Sequence, residues 1–341
     1  MIEIDGSYGE GGGQILRNTI ALSTLLKKPV KVTNIRSNRP NPGMKAQHYV
    51  TIKILKTLCD AEVSGLEIGS DEITYKPGKI SEGKYKFEIG TAGSITLAYQ
   101  ACILGCLNIK KPVTITLSGG TDVKWSPSWD YFENVYLKLL EKMGVKVISD
   151  LILRGYYPKG GGEANITIKP VERLQGLQTI DNKDYSEIKG NINISNLPDH
   201  ITKRIKRYVI KESMNNEFLT DINVDKSTSL SPGVGVTLWS DNNKSVLGSS
   251  VLGEKGFASE DVGLVASNNI FKEINSSATL DIYGFDQLLP FMVIAKKHGK
   301  SNCKIREITS HASTNMWLLQ KFFDVDFKAV QNEKNIEITV N

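Results

Sequence analysis

Apolar and polar residues alternate along the chain with a period that changes several times, and the changes recur. Residues 9–40, 90–122 and 284–314 each begin with a glycine or a small turn. Each continues with about three turns of apolar residues at helical spacing and then with an alternating strand, such as residues 113–117. Self-similarity of this kind indicates a repeated structural unit.

The repeat extends beyond these three segments. A polar loop and a second helical pattern follow each strand, for example GMKAQHYVTIKILKTL in the first unit and TNMWLLQKFF in the third. Two strand-like runs then close each unit, as GEANITIKP and KNIEITVN illustrate. Each unit is therefore predicted to fold as β-α-β-α-β-β, with its helices covering one face of a sheet.

The units fall on residues 1–80, 81–178 and 276–341, and residues 179–275 interrupt the series with strands and two helical patterns of their own. We therefore expect an α/β (α+β) fold. A large catalytic domain of three repeated units would comprise residues 1–178 and 276–341, and residues 179–275 would form a small inserted α/β domain. If the inserted domain is peripheral, its removal leaves the chemistry of the large domain measurable.

Composition narrows the class of protein. The chain has 341 residues, 40 % of them apolar, which suits more than one domain. No apolar run reaches the ~20 residues that span a bilayer, and the N-terminus lacks the features of a signal peptide. Four cysteines without C-x-x-C spacing indicate buried free thiols in a reducing compartment. We expect a cytoplasmic protein without a membrane partner, whose net charge of +5 permits a nucleotide or nucleic-acid ligand without requiring one.

The stretch GSYGEGGGQILR, residues 6–17, follows a short apolar strand and precedes a helical pattern. Its glycines suggest a phosphate cradle, since the first amide groups of a helix favour anions. It is not a Walker A loop, because no Lys-Ser/Thr pair follows, and Gln14 replaces the third glycine of the dinucleotide fingerprint. One acid, Glu10, and one cation, Arg17, accompany the glycines.

Two further loops precede helices at corresponding places in the repeat. RSNRPNPG carries Arg36 and Arg39, whose planar guanidinium groups suit phosphate oxygens. TSHASTN carries His311, which as an exposed imidazole can act as nucleophile, base or ligand. Ordinary surface charges and an ordinary loop histidine are the alternatives. If the units pack around a pseudo-symmetry axis, these loops converge with the glycine turn.

The segment YGFDQ, residues 283–287, opens the helix of the third unit. Asp286 suits the N-cap of that helix and Pro290 its first turn, which explains both without a functional role. Tyr283 and Gln287 need another explanation. An aromatic ring, an acid and an amide would also suit a nucleotide, through stacking and hydrogen bonds. From the residues alone, no reaction can be chosen.

Six motifs together resemble one family over essentially the whole chain and in the expected order. They are DGSYGEGGGQILR, RPNPGMKAQH, IGTAGSITLAYQ, SGGTD, YYPKGGGE and SHASTN. The chain is similar to the RNA 3′-terminal phosphate cyclases. This resemblance implies a large domain of three units, each like the C-terminal domain of translation initiation factor three, with a small inserted domain.

The resemblance also implies a reaction. Such enzymes use ATP to convert an RNA 3′-terminal phosphate into a 2′,3′-cyclic phosphodiester, and they release AMP and pyrophosphate. The route passes through a covalent histidine–AMP intermediate and an RNA-(3′)pp(5′)A intermediate. The implied ligands are ATP, a divalent metal (Mg²⁺ or Mn²⁺) and RNA 3′-phosphate ends, in RNA processing or repair. The oligomeric state, monomer or homodimer, stays open.

Residue roles follow from the same resemblance. His311 matches the nucleophile, and Glu10 matches the acid that holds the metal. The phosphate-binding positions are Arg17, Arg36, Arg39 and Gln47. The nucleotide pocket is matched by Gln100, Pro127, Tyr283, Gly284, Phe285, Asp286 and Gln287, with Pro127 covering the adenine face opposite Tyr283.

Two alternatives from other classes share the fold. One is the non-catalytic cyclase-like group that acts in ribosome assembly, whose members lack the nucleophilic histidine. The other is an enolpyruvyl transferase, a small-molecule enzyme that forms no covalent nucleotide. The presence of His311 with Glu10 and the arginines argues against the first, and the SHASTN and GEGGGQ motifs argue against the second.

Overall fold

A computed structural model describes residues 1–180 and 185–341. Helices and mixed sheets alternate along the chain, so the predicted α/β class is confirmed. Four sheets lie in the described part of the chain, and each has helices packed beside it.

The first sheet has the order β1-β2-β4-β3, with β1 and β2 parallel and the other pairs antiparallel. Its strands are β1 (Ile2–Asp5), β2 (Val30–Thr33), β3 (Glu62–Ser64) and β4 (Ile73–Lys76). Two helices accompany it, α1 (Gly13–Leu26) and α2 (Ala46–Cys59). The buried side of α1 carries Ile15, Leu16 and Ile20, which fixes the direction in which its N-terminus points.

The second sheet repeats this arrangement as β5-β6-β8-β7, again with the first pair parallel. Its strands are β5 (Lys84–Glu88), β6 (Val113–Gly119), β7 (Val147–Leu153) and β8 (Gly162–Ile168). Helix α3 spans Ile95–Gly105. The second helix is made of α4 (Trp129–Tyr131), a π-helical segment (Phe132–Tyr136) and α5 (Leu137–Lys142).

The third sheet differs from the predicted pattern, because it has three strands in the order β13-β15-β14, all antiparallel. These are β13 (Ser301–Ile305), β14 (Phe327–Gln331) and β15 (Ile336–Val340), with helices α8 (Ile282–Ala295) and α9 (Ser310–Phe322) and a 3₁₀ turn over Lys296–His298. A single parallel bridge between Gln178 and Asn302 takes the place of the first strand. That edge of the third sheet therefore comes from the chain before the fourth sheet.

The fourth sheet has the order β10-β9-β11-β12. It contains β9 (Glu187–Ser195), β10 (Leu219–Ser227), β11 (Gly233–Asp241) and β12 (Val246–Leu252), with helices α6 (His200–Asn215) and α7 (Ser259–Asn275). Buried residues such as Ile192, Val236 and Ile270 give it a hydrophobic core distinct from the one under the other three sheets. Burial of each such side chain contributes about 1.5–3 kcal/mol.

A buried ionic network joins the fourth sheet to the second. Arg154 is 3 % exposed and its guanidinium donates to three carboxylates. The acceptors are Asp225 at 2.8 Å, Asp130 at 2.9 Å and Asp122 at 3.1 Å. The side chains of Asn191 and Asn193 on β9 also donate to Asp130, each at 2.9 Å. Hydrogen bonds between charged and polar side chains therefore hold the second and fourth sheets together at this junction.

Helices of the first three sheets pack on one another. Helix α1 contacts α3 and α9, and α8 contacts α3 and α9. This packing brings the N-terminal ends of α1 and α9 close to one face of α8.

All four cysteines are buried and free, as predicted. Among the described residues, no helix combines the length and apolar character needed to cross a membrane.

Candidate active site

The glycine turn before α1 lies directly against the start of α9. Gly9 has φ +55°, and a Cβ there would lie 2.5 Å from Thr314 Oγ1. Helix α1 begins at Gly13 behind an N-cap, Gly12, that offers no side-chain acceptor. Its first amide groups are therefore free to face an anion. The sequence-predicted cradle and the histidine loop thus meet.

His311 lies in the first turn of α9, whose N-cap Thr309 accepts from the Ala312 amide. Its side chain is 46 % exposed. The ring Nδ1 lies 2.5 Å from Glu10 Oε2 and 3.1 Å from Gln14 Oε1. Two acceptors around Nδ1 assign the proton to that atom, which leaves the Nε2 lone pair free. In this tautomer the imidazole can act as a nucleophile.

Glu10 connects His311 to the arginine loop. Its Oε1 accepts from Arg39 Nη2 at 2.8 Å. Its Oε2 is buried and, within residues 1–180 and 185–341, makes no hydrogen bond besides the close approach to His311. That oxygen has lone-pair capacity for a cation. No group of three metal-ligating residues occurs in the described chain, so one carboxylate with phosphate oxygens and water is the donor set that fits.

Gln14 extends the contacts of His311 to Asp286. The Gln14 amide donates to Asp286 Oδ1 at 2.6 Å while its carbonyl faces the imidazole. Burial raises the pKa of Asp286 to about 6, against the opposing effect of His311. Burial also lowers the pKa of Arg17 to about 10, which leaves the guanidinium charged at neutral pH. The side chain of Asn315 donates to the Asp286 carbonyl at 2.9 Å.

The predicted helix start at Asp286 is wrong. Helix α8 begins at Ile282, and Asp281 is its N-cap, accepting from the amides of Tyr283 and Gly284. Asp286 therefore lies in the second turn. Pro290 lies inside the helix and not in its first turn. The Asp286 carboxylate is free of capping and available to the site.

A cavity of about 620 Å³ opens beside His311. The predicted residues in its wall are Arg17, Gln100, Pro127, Tyr283, Asp286, Gln287 and His311. Gln100 donates to Gln287 at 2.6 Å, which fixes both amides. The Tyr283 ring is 60 % exposed and forms an open aromatic face. The wall thus combines a stacking surface, amides, an acid and a buried cation.

Other predicted residues lie outside the cavity wall. Arg36 donates to the carbonyls of Asn41 and Gly43 and so braces its own loop; partial burial and the charge of Arg39 lower its pKa. Gln47 accepts from the Ser94 amide at 3.2 Å and joins the first and second units. The structure does not bring Gly284 and Phe285 to the cavity. Gly284 is buried, and the Phe285 side chain is in the hydrophobic core.

Sequence reasoning missed the contribution of the fourth sheet. Its residues in the cavity wall are Gly248, Ser249, Ser250, Asn269, Lys272 and Glu273. Glu273 accepts from Arg306 Nε at 3.0 Å, and burial raises its pKa to about 7. The inserted segment is therefore not peripheral to the cavity. Gln14 was also missed as a site residue, although its position in the first turn of α1, directly after the glycine turn, was a usable signal.

The other histidines do not face the cavity. His48 is buried, and a Cβ at Gly13 would lie 2.0 Å from its Nε2. Burial, with the charges of Arg17, Arg36 and Lys45, lowers the pKa of His48 to about 3, so it is neutral. It supports the start of α1 by packing. His200 begins α6, and His298 lies in the 3₁₀ turn after α8.

Comparisons with known proteins agree on one family. Residues 8–329 match the family model described as RNA 3′-terminal phosphate cyclase. The chain is 42 % identical over 360 aligned positions to a protein of that name from Methanosarcina mazei, and all of both chains is covered. Identity to its namesake from Pyrococcus furiosus is 41 % over 328 positions, with 96 % of this chain and 95 % of that protein covered. The protein of the same name from Archaeoglobus fulgidus is 40 % identical to this chain, and the alignment covers 98 % of each of the two chains.

Proposed function

The chain belongs to the RNA 3′-terminal phosphate cyclase family, and we propose on that basis that it converts an RNA 3′-terminal phosphate into a 2′,3′-cyclic phosphodiester. ATP is the co-substrate in this proposal, and AMP and pyrophosphate are released. One observation carries it. The half-exposed imidazole of His311 borders a cavity of about 620 Å³, and its Nδ1 is held 2.5 Å from a carboxylate.

His311 is the proposed nucleophile. Its Nε2 attacks the α-phosphorus of ATP, the P–N bond forms, and the bond to the bridging oxygen breaks as pyrophosphate leaves. Glu10 supports this step because its Oε2 stabilises the positive charge that grows on the ring. A side chain that is 46 % exposed leaves room for the nucleotide to approach.

Two transfers complete the cycle. An oxygen of the RNA 3′-phosphate attacks the phosphorus of the adenylyl group, and the P–N bond breaks to restore His311. The neighbouring 2′-hydroxyl then attacks the 3′-phosphorus, loses its proton and displaces AMP. The His311 imidazole is regenerated before this last step, so it is available to take up that proton.

The nucleotide pocket is assigned to the cavity wall. Tyr283 and Pro127 flank the base, and the paired amides of Gln100 and Gln287 with Asp286 face the ribose. Support comes from the exposed Tyr283 ring and the fixed geometry of the amide pair. Gly284 and Phe285 shape the turn of α8 behind the pocket, since neither reaches the cavity.

The phosphates are assigned to the start of α1 and to Arg17 in the cavity wall. Arg39 pairs with Glu10, and Arg36, Arg39 and Gln47 all lie outside the cavity wall, so we assign the three to the end of the RNA. Glu10 would hold a divalent metal, Mg²⁺ or Mn²⁺, which supplies positive charge against the triphosphate. The buried Glu10 Oε2, which among the described residues approaches only the His311 ring and so keeps a lone pair for a cation, supports this assignment.

We further propose that the first three sheets are three repeats of one unit, like the C-terminal domain of translation initiation factor three, and that residues 179–275 form the inserted domain. The matching strand orders of the first two sheets and the separate hydrophobic core of the fourth support this division. The non-catalytic alternative is not favoured, because it does not require a nucleophile beside the cavity.

The test is a product assay. An RNA oligonucleotide with a labelled 3′-phosphate is incubated with the protein, ATP and Mg²⁺, and then with phosphatase. A cyclic phosphodiester resists phosphatase, so label should become resistant only when ATP is present. Label that stays sensitive at every ATP concentration would contradict the proposal. Resistance without ATP would indicate a different reaction.

A further inference from the structure

Two large aromatic side chains on neighbouring loops are largely exposed. Trp125 is 96 % exposed and Tyr157 is 77 % exposed. The loops that carry them run side by side, because Asp122 and Tyr156 form a parallel bridge. Both loops belong to the second unit, and neither ring is used by the reaction proposed above.

Trp125 is held outward by its surroundings. Its φ of +60° is unusual for a bulky residue and persists only where neighbouring contacts enforce it. The Ser126 hydroxyl donates to the Val123 carbonyl at 2.8 Å. Lys124 forms an ion pair with Glu254 of the inserted segment. Trp125 also belongs to the wall of the cavity, so its ring stands at the mouth.

The loop of Tyr157 is equally fixed. A Cβ at Gly160 would lie 2.8 Å from the Thr91 carbonyl, and Gly160 has φ +66°. The backbone amide of Lys159 donates to Ser231 Oγ at 3.1 Å. The loop is therefore seated between the start of α3 and the inserted segment. The Lys159 side chain is exposed and forms no ion pair within the part of the chain that the structure describes.

This surface is continuous with the site that faces the RNA end. The Thr91 loop leads into Ser94, whose amide donates to Gln47. His48, which follows Gln47 in the chain, packs against Gly13 at the start of α1. A ligand strand leaving Glu10 and Gln47 would pass the Thr91 loop and reach Tyr157 and Lys159. A chain of contacts thus connects the loop of Tyr157 with the glycine turn.

We propose that Trp125, Tyr157 and Lys159 form a docking surface for the single-stranded RNA segment immediately 5′ of the reacting end. This inference rests on the proposed function. Aromatic rings beside exposed cations suit single-stranded nucleic acid, because every base has a face that stacks and every linkage carries a negative charge. Rigid loops allow this contact at little ordering cost.

The test compares the binding of 3′-phosphorylated RNA of two lengths, a dinucleotide and a hexanucleotide, by fluorescence anisotropy without ATP. Trp125→Ala and Tyr157→Ala should each weaken binding of the hexanucleotide by about tenfold, with much less effect on the dinucleotide. Trp125→Phe and Tyr157→Phe should retain most of the affinity. Lys159→Ala should reduce the slope of log Kd against log salt by about 0.7.

Leu219→Ala is the matched control, because this side chain is 73 % exposed on a distant edge strand of the inserted segment. Formation of the protein–AMP adduct from ATP, which needs no RNA, checks the nucleotide site of each variant separately. Adduct formation with unchanged hexanucleotide binding in both alanine variants would refute the docking surface and leave the proposed function standing. Loss of the adduct in Trp125→Ala would assign that ring to ATP and overturn the inference. A wild-type protein that binds neither RNA would overturn both.

Discussion

Replacing Glu10 by alanine isolates the carboxylate that faces His311. The change removes two contacts, the one to His311 Nδ1 at 2.5 Å and the one to Arg39 at 2.8 Å. A hydrogen bond to a charged group contributes about 1.5–3 kcal/mol. Because the His311 side chain is 46 % exposed, solvent screens the interaction and the lower end applies. Transfer of AMP to His311 should therefore slow by about tenfold.

The stability effect should be smaller than the rate effect. The Glu10–Arg39 pair is 24 % and 35 % exposed, and pairs of this kind contribute about 1 kcal/mol or less. The assay is single-turnover labelling of the protein by ATP carrying label at the α-phosphate, beside a thermal melt. Glu10→Gln should fall between wild type and Glu10→Ala. Glu62→Ala, which breaks an exposed pair with Lys76 at 3.3 Å, is the control and should change neither quantity.

A titration with Mg²⁺ separates the two roles of Glu10. If the carboxylate holds the metal, Glu10→Ala needs more Mg²⁺ and regains part of its rate at high concentration. If it only orients the imidazole, the rate falls at every concentration and the metal requirement does not change. Labelling of Glu10→Ala at the wild-type rate across the whole titration would refute both roles.

Three further changes test the packing and electrostatics around the site. Gly13→Ala should lower the free energy of unfolding by about 1–3 kcal/mol in denaturant unfolding, because the added Cβ would overlap His48. Gly83→Ala is the control and should change the free energy of unfolding little, because the atom nearest to its Cβ would lie 3.8 Å away. Asp286→Asn should raise the free energy of unfolding at pH 7, because burial raises the pKa of this carboxyl to about 6 from 3.8 and the ionised form is therefore disfavoured in the folded protein. This gain in stability should shrink as the pH falls from 6 toward 4, where the carboxyl of the wild type becomes protonated. A gain that does not depend on pH would contradict the raised pKa. Arg154→Ala should cost about 3–5 kcal/mol, because three carboxylates lose their shared cation, and a cost below 1 kcal/mol would refute the importance of the buried network.

The sequence predicted the α/β class and the meeting of the glycine turn with the His311 loop, because both depend on local patterns that repeat. Helix boundaries were less predictable. The spacing of the apolar residues allows either Asp281 or Asp286 as the N-cap of α8, since both precede apolar residues. The structure chooses Asp281 because Tyr131 and the Gly248 amide also bond to its carboxylate, at 2.7 Å and 2.9 Å.

Contacts between distant segments explain the rest. Lys272 and Ser249 reach the cavity because the fourth sheet is joined to the rest of the chain by contacts such as those of Arg154, Ser128 and Asp281, and no short motif encodes these contacts. His48 gave no signal beyond an ordinary helical position, although it fills the space under Gly13. The bridge that replaces the first strand of the third sheet was not predicted for the same reason, because Gln178 and its partner Asn302 are separated by the inserted segment.

The proposed reaction depends first on the transfer of AMP to His311. The most direct measurement incubates the protein with α-labelled ATP and Mg²⁺, denatures it, and follows the label on wild type and on His311→Ala, with His298→Ala as the control. We expect label on wild type and on His298→Ala that acid removes and alkali leaves intact, and no label on a folded His311→Ala variant. Equal labelling of His311→Ala, or no label on a wild-type protein that binds ATP, would contradict it.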